Sequence, residues 1–284
     1  MIKALVDGDW ILYAAGFAGQ KTGIVCPSLK GTQEFKTMTQ LRESIAEDME
    51  APLNEEDDPV YKRDILDPES HFYHSAKMMI EKNCEKIAEK LKRDVTPVVL
   101  IDGDGNFRTP LAQIRPYKGT RSVHAKPLMY NSIRQYLLDV WKAEVVHGQE
   151  TDDEMAIRQT ADPENTIIMS IDKDMLQVPG RHLNPNKGFK KVSAAEGQWR
   201  LYVQCIQGDI VDNIAGATGI GAKRARDLIP RKATEQEMWA LVLKAFERKP
   251  DSYNGLTPEE AAIENMRLVY LRREPGEIWM PPGA

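Results

Sequence analysis

Residues 96–105 read "TPVVLIDGDG". An unbroken apolar run ends abruptly in Asp102 and Asp104, the pattern of a buried strand with carboxylates at its C-terminal end. "IKALVDGD" (2–9) and "NTIIMSIDKD" (165–174) repeat it, and "AEVVHGQETDD" (143–153) is a weaker version. Helical periodicity separates these runs: Phe72, Ala76, Met79, Ile80, Ile87 and Leu91 in 71–93, then Met129, Ile133, Tyr136, Leu137 and Val140 in 127–141. Strands alternating with helices predict an α/β fold with a mostly parallel sheet flanked by helices. In such sheets ligands bind beyond the carboxyl ends of the strands, where all four runs place acids.

After residue 195 the strand signals stop. Thr234 with Glu237, and Thr257 with Glu260, are capping boxes that predict helix starts, the second with Pro258 at the first helical position. Residues 1–195 are therefore expected to form the α/β domain and 196–284 a helical one. Residues 28–70 are acidic and weakly periodic, and are expected to be an inserted, solvated excursion. No stretch reaches the ~18 apolar residues of a membrane span. The N-terminal apolar run is broken by Asp7 and Asp9, unlike a signal peptide. Cys26, Cys84 and Cys205 are scattered, which suggests reduced thiols in the cytoplasm.

The net charge of −5 conceals a division. Residues 41–70 carry 11 acids and 3 bases, whereas 176–232 carry 10 bases and 4 acids. A basic face on an acidic chain is compatible with a polyanionic partner.

The strand-end acids are Asp7, Asp9, Asp102, Asp104, Glu150, Asp152, Asp153, Asp172 and Asp174, with Asp209 and Asp212 following. Converged carboxylates repel one another unless cations neutralise them. An oxygen-only donor set favours magnesium or manganese over zinc. His71 and His74 lie on a predicted amphipathic helix away from the acids. Two such cations suit in-line attack on a phosphodiester.

Two segments complement the acids. "GATGIGAKRA" (216–225) has the form of a helix–hairpin–helix turn: Gly219 and Gly221 let backbone amides approach phosphate, and Lys223 and Arg224 add charge. "FRTPLAQIRPYKGTRSVHAK" (107–126) interleaves Arg108, Arg115, Lys118, Arg121 and Lys126 with Phe107 and Tyr117, a composition suited to single-stranded nucleic acid.

Taken in order, "VDGDW", "LIDGDGNFR", "RPYKGTR", "ETDDEMA", "SIDKDML" and "GDIVDNIAGATGIGAKRA" resemble the flap endonuclease / 5′–3′ exonuclease family, especially its bacteriophage branch. The resemblance spans residues 5 to about 229. It implies a PIN-like sheet, a helix–three-turn–helix module on duplex DNA, and a role in DNA replication, in the host cytoplasm for a bacteriophage enzyme. It implies Asp7, Asp102, Glu150, Asp152 and Asp153 as ligands of one Mg2+ ion, replaceable by Mn2+, and Asp172, Asp174, Asp209 and Asp212 as ligands of a second. Lys118, assisted by Arg121, would contact the scissile phosphate. Arg108 would hold phosphate nearby, and Tyr117 would stack on the base at the cut. Asp9 and Asp104 match less well and stay outside that ligand set. The 107–127 stretch is a basic arch-like loop, but the stretch from Tyr117 to Glu150 is short for a full helical arch that threads a 5′ strand, and Pro127 limits helix there. That favours trimming of duplex 5′ ends, with RNA–DNA hybrids and flaps as further substrates. Two other readings compete. A haloacid-dehalogenase-like phosphatase would use the DxD of "VDGDW", but Trp10 and the hairpin do not suit it. A non-catalytic DNA-binding module would not need carboxylates at every strand end.

Overall fold

In the computed structural model, which describes residues 1–25, 35, 37–49, 61–120 and 126–283, the four apolar runs form neighbouring strands. The chain runs β1 (Ile2–Asp7), α1 (Gly8–Ala18), β2 (Gln20–Val25), α2 (Met38–Met49), β3 (Tyr61–Leu66), α3 (Glu69–Leu91), β4 (Val95–Asp102), α4 (Tyr130–Val140), β5 (Glu144–Val146), α5 (Thr151–Ala161), β6 (Thr166–Met169), β7 (Gly180–Asn184), β8 (Gly188–Val192), α6 (Ala194–Gln207), α7 (Ala222–Leu228), α8 (Glu235–Phe246) and α9 (Pro258–Val269). It forms two compact units, one of residues 1–10, 79–125 and 137–284, the other of 11–78 and 126–136.

The first unit holds a six-stranded sheet in the order β5-β4-β1-β6-β7-β8. All neighbours are parallel except β7 and β8. The central strand β1 is fully apolar from Ala4 to Val6, because both of its faces are covered. Its Val6 pairs with Val99 of β4 and Met169 of β6, so the three strands finish at nearly one level. That register brings Asp7, Asp102 and Asp172 to the same end of the sheet. Leu5, Leu100, Val146, Met155 and Ile168 form the core beneath them.

The antiparallel β7–β8 hairpin is not anticipated by the sequence reading. Its residues, "GRHLN" and "GFKKV", lie at the sheet edge and carry too few apolar side chains to signal a strand. The helices after residue 193 pack on a core of their own, with Tyr202, Val242, Phe246, Tyr253 and Met266 fully buried. Both predicted capping boxes form, at Thr234/Glu237 and Thr257/Glu260, with Pro258 in the first turn of α9.

In the second unit β2 pairs antiparallel with β3, from Gln20 opposite Leu66 to Val25 opposite Tyr61. Residues 28–70 thus contain a helix, α2, and a strand, β3, where the sequence suggests a solvated excursion. Pairing with a strand far earlier in the chain leaves no local trace in composition. The rest of that insert, 28–34, 36 and 50–60, lies outside the described residues. Among the described residues no helix is long and apolar enough to cross a membrane, and Cys84 and Cys205 are free thiols.

Candidate metal and nucleic-acid site

Asp7 closes β1. Its Oδ1 accepts from the Trp10 amide at 3.0 Å and its Oδ2 from the Ser170 hydroxyl at 2.8 Å. Gly8 makes the direct passage from strand to helix feasible: a Cβ there would stand 2.5 Å from the Leu100 carbonyl oxygen and from Ile101 Cγ2. Asp9 then reaches across to β4, accepting from the Asp102 amide at 2.8 Å and from Thr151 Oγ1 at 3.2 Å. Asp102 Oδ1 accepts from the amide and hydroxyl of Thr151, at 2.7 and 2.8 Å, where α5 begins. Helix N-termini favour carboxylates, so α1 and α5 help to seat these acids. Beyond β6, Asp172 Oδ1 accepts from the Asp174 amide at 2.7 Å. Asp209 Oδ1 accepts from the amides of Val211 and Asp212, and its Oδ2 lies 3.8 Å from Lys173 Nζ.

These groups crowd one another. Burial pushes the Asp7 carboxyl up to about 6, with Asp172 and Asp102 adding repulsion. Burial, then Asp102 and Asp7, push Asp9 up to about 7. Burial and Asp172 push Asp174 up to about 7. Asp152 is raised well above the usual carboxylate range by burial and by Asp7, Asp172, Glu150 and Asp153. Asp172 is accessible to solvent, yet the surrounding protein raises it too, aided by Asp212 and Asp209. Asp9 therefore belongs to the acid cluster although the family pattern left it out. The doublet "DGD" was the signal, since helical continuation after Gly8 turns its second acid toward β4.

Three residues depart from their expected roles. Arg108 is 1% exposed and is not available to hold phosphate. Its guanidinium forms a bidentate pair with Asp153 at 2.6 and 2.8 Å and donates to the carbonyls of Leu268 and Tyr270. Asp153, in turn, is not available as a metal ligand. It is fully buried, and its oxygens also accept from the amides of Glu150, at 3.2 Å, and Arg272, at 3.1 Å. Sequence could not separate this acid from Asp152, since helix rotation alone turns one inward. Tyr117 does not present a free ring for stacking. The ring packs against the helical core, and the hydroxyl lies 2.9 Å from Glu150 Oε2 and 3.1 Å from Asp212 Oδ2. Phe107 is likewise occupied, with the guanidiniums of Arg108 and Arg272 4.6 and 3.5 Å from its ring centre.

Lys118 does reach the acids. Its ammonium pairs with Glu150, and its backbone adopts the left-handed region with φ of 57°. The Lys118 amide donates to the Asp212 carbonyl at 2.8 Å, which fixes that conformation. Burial raises the Glu150 carboxyl, but Lys118 and Arg108 outweigh it and hold the group below the usual range. The loop is tied down upstream as well, by the Ile114 amide on Glu264 and by Asn254 Nδ2 on the Gln113 carbonyl. Arg121 lies outside the described residues.

Downstream, Gly219 has φ of 82° and Gly221 precedes α7. A Cβ on Gly221 would meet nothing within 4 Å, so the backbone there is open to a ligand. Lys223 and Arg224 lie in the first turn of α7. The other unit carries an aromatic patch that sequence reasoning overlooked. Tyr13 lies 5.6 Å from Tyr130 and 6.3 Å from Phe17, and Lys126 Nζ sits 4.3 Å from the Tyr130 ring centre.

The donor set fits a hard divalent cation. Buried, mutually repelling carboxylates with raised proton affinity are what a bound cation would relieve, and all the donors are oxygen. Among the described residues no three or more His, Cys, Asp or Glu are already arranged to hold a metal ion. Glu150 is engaged by Lys118, Asn106 and Tyr117.

The mostly parallel sheet flanked by helices is shared with solved structures of bacteriophage T5 nucleases. The T5 5′-exonuclease with divalent zinc ions matches with a TM-score of 0.50 at 18% identity, over 68% of this chain and 80% of that one. The bacteriophage T5 flap endonuclease, in a pseudo-enzyme–product complex with DNA and metal ions, matches with a TM-score of 0.50 at 17% identity, over 71% and 80%. No family model matches the sequence, and no curated protein matches it.

Proposed function

We propose that the chain is a divalent-metal-dependent 5′–3′ exonuclease that hydrolyses phosphodiester bonds of duplex DNA from 5′ ends. The carboxylates gathered at the ends of β1, β4 and β6 beside Lys118, with Asp7, Asp9, Asp152 and Asp174 raised by burial, carry this reading. The fold shared with the T5 enzymes supports it, as do the metal ions and DNA bound in those structures.

Asp7, Asp102 and Asp152 are the residues that would hold one cation, with Glu150 once released by Lys118. Asp172, Asp174, Asp209 and Asp212 would hold a second. Magnesium is the preferred ion, because the donors are hard oxygens. Bound there, the cations supply Lewis acidity at the phosphoryl group. Lys118, once free of Glu150, offers its ammonium to the phosphate oxygens. Ser170 and Trp10 keep the Asp7 carboxylate oriented. Residues 196–284 would grip duplex DNA, with the 216–225 turn on a phosphate further along. The contact is to backbone, so binding is independent of sequence and weakens with salt.

The test uses 5′-labelled and 3′-labelled blunt, nicked and flapped duplexes, with an RNA–DNA hybrid, in magnesium. Mononucleotides released from blunt and nicked 5′ ends are expected. Intact flaps as the main product would make the enzyme an endonuclease instead. No product from any substrate, with the protein folded, would overturn the reading.

A further inference from the structure

The loop after β4 and the loop after α6 are tied to each other beside the acid cluster. The Lys118 amide donates to the Asp212 carbonyl at 2.8 Å, and Asn213 Nδ2 donates to the Pro116 carbonyl at 2.9 Å. Both loops share an anchor in α9, where consecutive residues take one loop each. Glu264 Oε1 accepts from the Ile114 amide at 2.9 Å, and Asn265 Oδ1 accepts from the Gly216 amide at 2.8 Å. Asn265 Nδ2 donates to the Ala261 carbonyl one turn back, at 2.8 Å, which orients its amide. Both side chains are buried.

Gly216 is a point of leverage on the acids. Gly208 and Gly216 cross at the neck of the loop that carries Asp209 and Asp212, with φ of 67° and 65°. A Cβ on either would stand 2.6 Å from the other's nitrogen. Asn265 thus holds this loop where its two ends meet. Glu264 is an expensive anchor. Its Oε2 is buried with no hydrogen-bond partner among the described residues, and burial raises its carboxyl against the pull of the Ile114 and Gln113 amides. An apolar side chain would fill the space without that penalty, so packing does not account for an acid whose hydrogen bond goes to the Lys118 loop. The carbonyls freed at the end of α9 reach the same region. Leu268 accepts from Arg108 Nε and Val269 from Gln177 Nε2, each at 2.9 Å.

Resting on the nuclease reading above, we infer that Glu264 and Asn265 are positioning residues: from one helix they hold the Lys118 loop and the Asp209–Asp212 loop in register, so that the ammonium and the carboxylates meet one phosphate. Neither side chain touches the substrate.

The test compares Glu264→Leu, Glu264→Gln and Asn265→Leu in the full-length protein, with Asn265→Ser in its place should Asn265→Leu not fold. Duplex affinity is read by anisotropy in calcium, cleavage by single turnover in magnesium, and loop order by hydrogen exchange without metal. Glu264→Leu should cleave on the order of tenfold or more slowly at unchanged duplex affinity, because a misplaced reacting group costs rate. Glu264→Gln keeps an acceptor for the Ile114 amide and should cleave at close to the wild-type rate. Exchange should quicken in the loop that each substitution does not touch: across 208–216 in Glu264→Leu, and across 113–118 in the Asn265 variant. Glu264→Leu at the wild-type rate, or Glu264→Gln as slow as Glu264→Leu, would overturn the positioning role. So would exchange that quickens only in the loop each side chain contacts. Wild type without product would instead overturn the nuclease reading, and the exchange pattern would still decide whether α9 holds the two loops together.

Discussion

Asp152 and Asp153 are adjacent in sequence and opposite in circumstance. Asp152 faces the acid cluster, and burial and the neighbouring carboxylates raise it well above the usual carboxylate range. Asp153 faces inward onto Arg108, with both groups buried. The two substitutions should therefore behave differently. Arg108→Met leaves an uncompensated charge on Asp153 and should cost about 3–5 kcal/mol in urea unfolding. Arg108→Met/Asp153→Leu should recover most of that loss, because both charges leave the interior together. If Arg108 served phosphate instead, Arg108→Met would weaken DNA binding and leave stability unchanged. Asp152→Asn and Asp172→Asn should lower single-turnover cleavage by about 100-fold or more, since they remove donors to the cations. In a chelator the same variants should melt higher than wild type, because each removes a repelling charge. Lys118→Ala should slow cleavage by on the order of 100-fold with little change in duplex affinity, the signature of a charge aimed at the reacting phosphate.

The elements that were legible in the sequence are those that advertise themselves locally. β1, β4 and β6 are apolar runs ending in acids, and α8 and α9 open on capping boxes that the structure forms. The β7–β8 hairpin and the β2–β3 pair were not legible, since their strands are polar and their pairing is settled by tertiary contact. The basic loop after β4 was read as arch-like. Its described part is instead stapled through Ile114, Gln113, Pro116 and Lys118 to residues that lie far along the chain. Such long-range polar partners have no spacing rule. The site was legible in kind, as a set of strand-end acids with nearby cations, but not in the division between exposed donors and buried structural pairs. At α7 the prediction concerns binding alone. Lys223→Ala/Arg224→Ala should reduce the slope of log affinity against log salt by about 2, one for each lost phosphate contact. The magnesium-induced rise in melting temperature should be unchanged. A lowered cation response would mean that α7 supports the acid cluster and not the duplex.

Across the whole molecule, the acid cluster should make stability depend on pH in the absence of cations. Asp7, at about 6, and Asp9 and Asp174, at about 7, bind protons more tightly folded than unfolded. Their contribution is present below the ordinary Asp value and is lost as pH rises through the folded values. Groups held below their ordinary values act oppositely but mainly at lower pH, Glu144, Glu196, Glu237 and Glu260 among them. Glu150 is held below the usual glutamate range, so its contribution is lost only on further acidification. His182, buried and hydrogen-bonded to the Val178 carbonyl, is depressed to about 4, so its stabilising effect is nearly complete at the ordinary histidine value and levels off just above it. From pH 6.5 to 8 the acids therefore dominate, opposed only by the last part of the histidine contribution. In a chelator the melting temperature should fall across that window, equivalent to on the order of 1–2 kcal/mol. Magnesium should abolish the fall, because a bound cation replaces the lost protons, and its apparent affinity should tighten as pH rises. A chelated protein that is equally stable at pH 6.5 and 8 would show that the carboxylates do not repel one another enough to need a metal. The electrostatic basis of the site would then be gone, whatever the fold resembles.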